Sequence, residues 1–234
     1  MNIAIMQPYF LPYIGYFQLI NHVDKFVIYD EIQFTKKGWI HRNRMLMNNK
    51  DFMFSLSLKK DSDYLNIVDR QLSDNFKMDS LKLLRQIEGA YKKAKMFPQV
   101  FPEIEKILNY DNINLFHFIK YSLEVVCDYL DITTPIIVSS SLDFDNNLKA
   151  QDKVLTISKA LHATEYTNPI GGVTLYDKTE FKSNGIDLSF LKANDIVYNQ
   201  FQKEFIPFLS IIDLMMFNST DKINEYLKNS FTIN

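Results

Sequence analysis

The chain contains a single cysteine, Cys127, in 234 residues, which rules out an internal disulfide and fits a reducing compartment. Its four histidines, His22, His41, His117 and His162, stand at spacings that match no metal-binding pattern, and no cysteine or carboxylate run completes a set. No resident metal or other cofactor is therefore expected. Neither sign of charge dominates: 26 Lys+Arg face 28 Asp+Glu, a formal balance of −2 that offers no broad footprint for a nucleic acid. Long apolar runs are missing too. The stretch Phe205 to Phe217 is interrupted by Pro207, Ser210 and Asp213 and falls short of the roughly 20 residues that span a bilayer, so no membrane span is expected. The opening Met1 to Pro8 lacks the basic start and apolar stretch of a secretory signal, which makes a cytoplasmic location the expectation. No Pro/Gly/Ser-rich linker, internal repeat or low-complexity tract divides the chain, so a single domain over 1–234 is expected.

What is present suits a folded α/β protein: 47% hydrophobic and 23% charged residues are ordinary globular proportions. Ile3-Ala4-Ile5-Met6 reads as a buried strand ended by Gln7-Pro8. Ile14, Phe17 and Ile20 recur at helical spacing, and Phe26-Val27-Ile28-Tyr29 is a second buried strand with Asp30 just past its end. Strand, helix and strand within about thirty residues make a compact parallel unit. Residues Ile32 to Asn49 carry the densest basic charge and read as a loop with a short helix or strand, followed by an alternating strand from Phe52 to Leu58. Helices are predicted over Asp79 to Lys95, Pro98 to Leu108 and Asn114 to Leu130, with Asp79 and Asn114 as N-caps, giving a helical insert at about 79–130. The α/β pattern then resumes: strand Ile136 to Val138, helix Lys149 to Leu161, strand Glu165 to Thr167, helix Asp177 to Lys182, strand Leu188 to Phe190. The expected fold is a mostly parallel, Rossmann-like sheet flanked by helices.

Three groups of motifs are unusual enough to mark a family. The N-terminal strings Gln7-Pro8-Tyr9-Phe10-Leu11-Pro12-Tyr13-Ile14-Gly15-Tyr16-Phe17 and Asp24 to Phe34, with Arg42-Asn43-Arg44, resemble the WbqC-like family. So do the central Gly171-Gly172 with Leu175-Tyr176 and Gly185-Ile186, and the closing Tyr198-Asn199-Gln200, Phe205-Ile206-Pro207 and Leu209 to Leu214. The resemblance implies a role in bacterial gene clusters that build O-antigens, the polysaccharide of lipopolysaccharide, with transfer of glycine to an amino sugar as one suggested activity. A second resemblance is local. Tyr13-Ile14-Gly15-Tyr16 stands where nucleotidyltransferase-like proteins carry His-x-Gly-His, but without the two histidines that would meet a pentavalent phosphate.

Candidate site residues follow from strand ends and from these motifs. Gln7, Tyr9, Asp30 and Gln33 lie at or just after strand ends, where open α/β sheets bind ligands. Gln7 and Tyr9 can donate to a developing oxyanion, and Asp30 or His41 can take a proton from an attacking amine; Asp30 equally suits capping a turn. Arg42 and Arg44, flanking Asn43, offer guanidinium forks for a pyrophosphate if they share one strand face, and Trp39 can stack on a base or sugar; an ion-pairing segment is the competing role. Gly171-Gly172 can bring backbone N–H groups to an anion or form a tight turn, and Ser140, within Ser139-Ser140-Ser141, can add a hydroxyl or cap a helix. Tyr176, Tyr198 and Gln200 join the set through the resemblance. Gln7, Asp30, Arg42 to Arg44 and Gly171-Gly172 are expected to line one cleft. Cys127, inside an apolar helix, reads as core packing, and Ser210 with Asp213 reads as a capping-box-like helix start.

The expected activity is N-acyl or aminoacyl (glycyl) transfer to the amine of a nucleotide-linked amino sugar. The activated donor is open among a thioester on an acyl carrier protein, an aminoacyl adenylate and an aminoacyl-tRNA. An adenylate-forming nucleotidyltransferase and a non-catalytic binding subunit of the glycan machinery are the rival readings.

Overall fold

Parallel strands buried on both faces need continuous apolar sequence, and the first two strands have it. In the computed structural model, which describes residues 1–144, 148, 150–201 and 204–234, Asn2–Met6 forms β1 and Lys25–Ile28 forms β2, joined by α1 (Ile14–His22). Ile3, Ile5 and Val27 face one hydrophobic cluster, while Ala4, Phe26 and Ile28 face a larger one on the opposite side of the sheet. The later sheet strands are β5 (Ile136–Val138), β6 (Glu165–Pro169), β7 (Asp187–Ala193) and β8 (Phe231–Ile233). Between them, β3 (Arg42–Met47) and β4 (Lys50–Ser55) form a separate hairpin.

The six sheet strands lie in the order β5-β2-β1-β6-β7-β8, parallel except for β8, which runs antiparallel to β7. The sheet grows outward from β1 in one direction, to β2 and β5, and then in the other, to β6 and β7. The order therefore reverses between β1 and β6, the topological switch point at which open α/β sheets form a ligand crevice. α5 (Ala150–Ala160) and α6 (Lys178–Ser183) cover the smaller cluster; α5 begins just after Lys149, the predicted start, which lies outside the described residues.

The helical insert is α2 (Phe76–Tyr91), α3 (Phe97–Leu108) and α4 (Leu115–Tyr129), and its buried Ile87, Val100 and Leu123 belong to the larger cluster together with α7 (Ile211–Phe217) and α8 (Thr220–Asn229). Asn114 caps α4 as expected, accepting from His117 N at 3.1 Å. Asp79 is not a cap: the N-cap position is Asn75, and Asp79 sits in the first turn of α2, where its charge meets the positive end of the helix dipole. The predicted strand from Phe52 starts earlier because Asn48 and Asn49, at φ 52° and 59°, make the turn that pairs it with β3.

Candidate functional site

Tyrosines crowd the switch point. A cavity of about 480 Å³ lies between the carboxyl ends of β1 and β6, lined by Gln7 and Tyr9 after β1, Tyr13, Gly15 and Tyr16 at the start of α1, Tyr29 after β2, and Asn168, Gly171, Gly172 and Tyr176 after β6. None of the described residues lining it carries a formal charge. Gln7 Nε2 donates to Tyr9 Oη at 2.9 Å and Tyr16 Oη donates to the Gln7 carbonyl at 3.0 Å, so the loop leaving β1 is braced from within. Burial raises the phenols of Tyr9, Tyr13, Tyr16 and Tyr29 above their ordinary value, which keeps them as neutral donors. Gly172 sits in a 3-10 turn, Ile170–Leu175, where a Cβ would come within 2.0 Å of Asn168 Oδ1. Asn168 cannot easily give way, because its Nδ2 donates to Tyr166 Oη at 2.7 Å in the core.

A neighbouring cavity of about 230 Å³ shares Tyr9 and Tyr13 with the first and adds Trp39, Asn43, Arg44 and Phe208. The expected strand face for the two arginines is present. Arg42 and Arg44 project from the same side of β3, and their guanidiniums lie 5.6 Å and 5.9 Å from the Trp39 ring. Arg42 is spent on the backbone carbonyls of Gly38 and Lys37, whereas Arg44 pairs with Asp51 at 3.1 Å, donates to the Phe208 carbonyl at 3.3 Å, and keeps its Nε without a partner. Asn43 faces the opposite way and holds the β1 loop, donating to the Leu11 carbonyl at 2.8 Å. Phe208, which lines this cavity, has φ of 56°, and the buried Leu11, whose carbonyl Asn43 holds, has φ of 45°, both in the left-handed region.

Not every candidate meets at this opening. The arginine segment belongs to the hairpin rather than to the main sheet, so its approach to the cavities comes from the β1 loop folding against β3 and not from a shared sheet edge. Asp30, 2% exposed, accepts from Ser139 Oγ at 2.7 Å and from the Ser140 N–H at 3.1 Å, which ties the end of β2 to the 3-10 turn Ser139–Ser141 after β5. Ser140 contributes that backbone contact. Gln33 donates to the Asp63 carbonyl at 3.1 Å.

His41 lines a different cavity with Arg70, and burial, with the charges of Arg42 and Arg70, lowers it to about 4. A base that weak is poorly matched to accepting a proton near neutral pH. Because the folded value is depressed below 6.5, His41 costs stability as pH falls from about 6.5 toward 4, when the unfolded chain takes up a proton that the folded chain refuses. Urea unfolding should therefore show the native chain losing about 1–2 kcal/mol more than His41→Gln between pH 7 and pH 5, and parallel losses would contradict this.

Tyr198 and Gln200 turn inward. Tyr198 Oη at 2.7 Å and Gln200 Nε2 at 2.8 Å donate to Asp213 Oδ2, and Tyr91 Oη donates to Oδ1 at 2.8 Å. Burial raises the Asp213 carboxyl, and these three donors oppose the rise. The capping-box expectation is corrected here. Ser210 does cap α7, and its Oγ also donates to the Leu11 carbonyl, but its backbone N–H goes to the Arg44 carbonyl and Asp213 is recruited by the core donors instead. Cys127 is buried and its thiol is pushed up to about 12, which suits packing. Among the described residues no group of three or more His, Cys, Asp or Glu is placed to hold a metal ion, and no helix is long and apolar enough to cross a membrane.

Fold and site together define a Rossmann-like α/β protein with an uncharged, tyrosine-lined crevice at its switch point. The chain belongs to the WbqC-like protein family, whose model matches residues 7–225. It is 27% identical over 230 residues to the "Uncharacterized protein Rv1507c" of Mycobacterium tuberculosis, a match covering 97% of each chain. No solved structure matches it.

Proposed function

We propose that the chain is a transferase of bacterial surface-polysaccharide assembly, attaching an acyl or aminoacyl group to the amine of a nucleotide-linked amino sugar seated in the switch-point cavity. The observation that carries this reading is the absence of charge among the described lining residues combined with five tyrosines and the amides of Gln7 and Asn168. Such a lining suits a polyhydroxylated ring: phenols and amides exchange directional hydrogen bonds with hydroxyls, and aromatic faces cover the ring's C–H surface. The volume of about 480 Å³ falls in the range of small-molecule sites. In this reading the nucleotide end extends past Tyr9 and Tyr13, with its diphosphate toward Arg44 and its base toward Trp39.

The sugar amine attacks the activated carbonyl as the free base. A C–N bond forms, the bond from the carbonyl carbon to the leaving group breaks, and the amine proton departs with the leaving group. Gln7 Nε2 and Tyr9 Oη donate to the oxygen that gains charge. Asp30, held by Ser139 and Ser140, serves to fix the edge of the site. Nucleotidyl transfer is disfavoured because Tyr13-Ile14-Gly15-Tyr16 reaches the cavity without a cation for a pentavalent phosphate.

Calorimetric titration with a panel of nucleotide-linked amino sugars tests the reading. Arg44→Lys keeps the charge and loses the fork, so affinity should fall by about 1–3 kcal/mol, with turnover changed less. Equal binding by native chain and variant would remove Arg44 from the site, and tighter binding of a nucleoside triphosphate with magnesium would favour nucleotidyl transfer.

A further inference from the structure

A separate cavity of about 270 Å³ lies further along the segment that follows β2, where Phe34 lines it two residues beyond Ile32 of the switch-point cavity. Its cations are Lys36, Lys59, Lys60 and Arg70, set against the carboxylates of Asp61 and Asp63. Arg70 is the unusual member. It is 6% exposed, its guanidinium lies 4.8 Å from the Phe34 ring centre, and none of the ion pairs among the described residues includes it. Its Nη1 donates to the Ser62 carbonyl at 2.9 Å and Nη2 to the Lys59 carbonyl at 3.4 Å, while Nε has no partner. The same two bonds hold the lysine-bearing loop against the guanidinium. His41, which shares the lining, also has a buried nitrogen, Nδ1, without a partner.

A buried cation with no counter-charge is costly, and an anion in the adjoining cavity removes that cost. Lys59 and Lys60 are exposed and free to fold over such an anion, while Arg70 forms a fixed floor. Asp61 and Asp63 leave the lining with a surplus of positive charge, and Lys36 lies only 4.0 Å from Asp63 in an exposed pair that contributes little. We propose that this cavity is a binding site for a dianionic phosphate group, free or as a monoester, held by Arg70 with Lys59 and Lys60. The site is separate from the switch-point cavity and stands whether or not the transferase reading does.

The test uses the full chain, titrated at constant ionic strength with inorganic phosphate in one arm and methyl phosphate in the other. Binding is read by calorimetry and by the His41 ring signals, assigned with His41→Gln. Saturable binding is expected, together with an upward move of the His41 titration as the anion offsets the charges of Arg42 and Arg70. The double variant Lys59→Gln, Lys60→Gln should unfold at the native temperature, since both side chains are exposed, and bind at least about tenfold more weakly. Preference for methyl phosphate would identify an organic phosphate as the ligand class, preference for inorganic phosphate would identify the free ion, and equal binding would show that the site reads the phosphate group alone. No saturable binding in either arm, or undiminished binding by the double variant with His41 unmoved, would overturn the proposal.

Discussion

Gly172→Ala is expected to lose both stability and sugar-nucleotide binding, whereas Gly171→Ala should keep native stability. The two glycines are adjacent and both line the switch-point cavity, yet only one is crowded: a Cβ on Gly172 would stand 2.0 Å from Asn168 Oδ1, and a Cβ on Gly171 meets nothing within 4 Å. To relieve the clash Asn168 must swing away, which breaks its bond to Tyr166 Oη and leaves buried polar groups unpaired at about 1–3 kcal/mol. The displaced amide would also enter the space where the sugar is proposed to sit, so affinity should fall by at least about tenfold. Thermal unfolding and calorimetry on the matched pair check this. Equal unfolding temperatures for the two variants would contradict the packing argument.

Asp213→Ala is expected to be the most damaging single change to the fold. Removing this carboxylate leaves the hydroxyl protons of Tyr91 and Tyr198 without their acceptor and takes one of the two acceptors from the Gln200 amide, which keeps the Ile206 carbonyl, in a region where Asp213 itself is fully buried. The cost should be about 3–5 kcal/mol, since each buried neutral donor left without its acceptor costs about 1–3 kcal/mol. Tyr91 Oη also accepts from the Leu46 N–H at 2.8 Å, so the loss should propagate into β3, next to Arg44. Asp213→Asn keeps the volume and part of the acceptor capacity, and urea unfolding should place it between the native chain and Asp213→Ala. A loss under about 1 kcal/mol for Asp213→Ala would show that water can replace the carboxylate.

The parallel sheet was legible because burial on both faces demands apolar runs such as Ile3 to Met6 and Phe26 to Ile28, and those runs need no partner to be recognised. The hairpin was half legible. Phe52 and Phe54 alternate, but β3 is masked by Arg42, Asn43 and Arg44, and the signal that would have found it is the Asn48-Asn49 turn between the two strands. Gln7, Tyr9, Gly171, Gly172 and Tyr176 were found from strand ends and motifs, and the switch point brings them together. Tyr13 and Tyr16 were legible only through the second, local resemblance, while Tyr29 and Asn168 were missed as lining residues because nothing in a single sequence separates a cavity tyrosine or amide from a core one. Asp213 was misread for a related reason. Ser210 three residues before it imitates a capping box, and its true partners lie as far as 122 residues away. Arg70 carries no local signal; that no ion pair among the described residues includes it is visible only in three dimensions.

The proposed activity is transfer of an acyl or aminoacyl group to the amine of a nucleotide-linked sugar. Its most direct test is mass spectrometry of amino-sugar nucleotides after incubation with the native chain and a panel of activated acyl and aminoacyl donors, with the Gly172→Ala chain alongside. One sugar nucleotide is expected to rise in mass by the donor's acyl group, with the gain located on the sugar nitrogen and greatly reduced for Gly172→Ala. A gain located on the phosphate or a hydroxyl, or an unmodified panel despite saturable binding in the switch-point cavity, would contradict it.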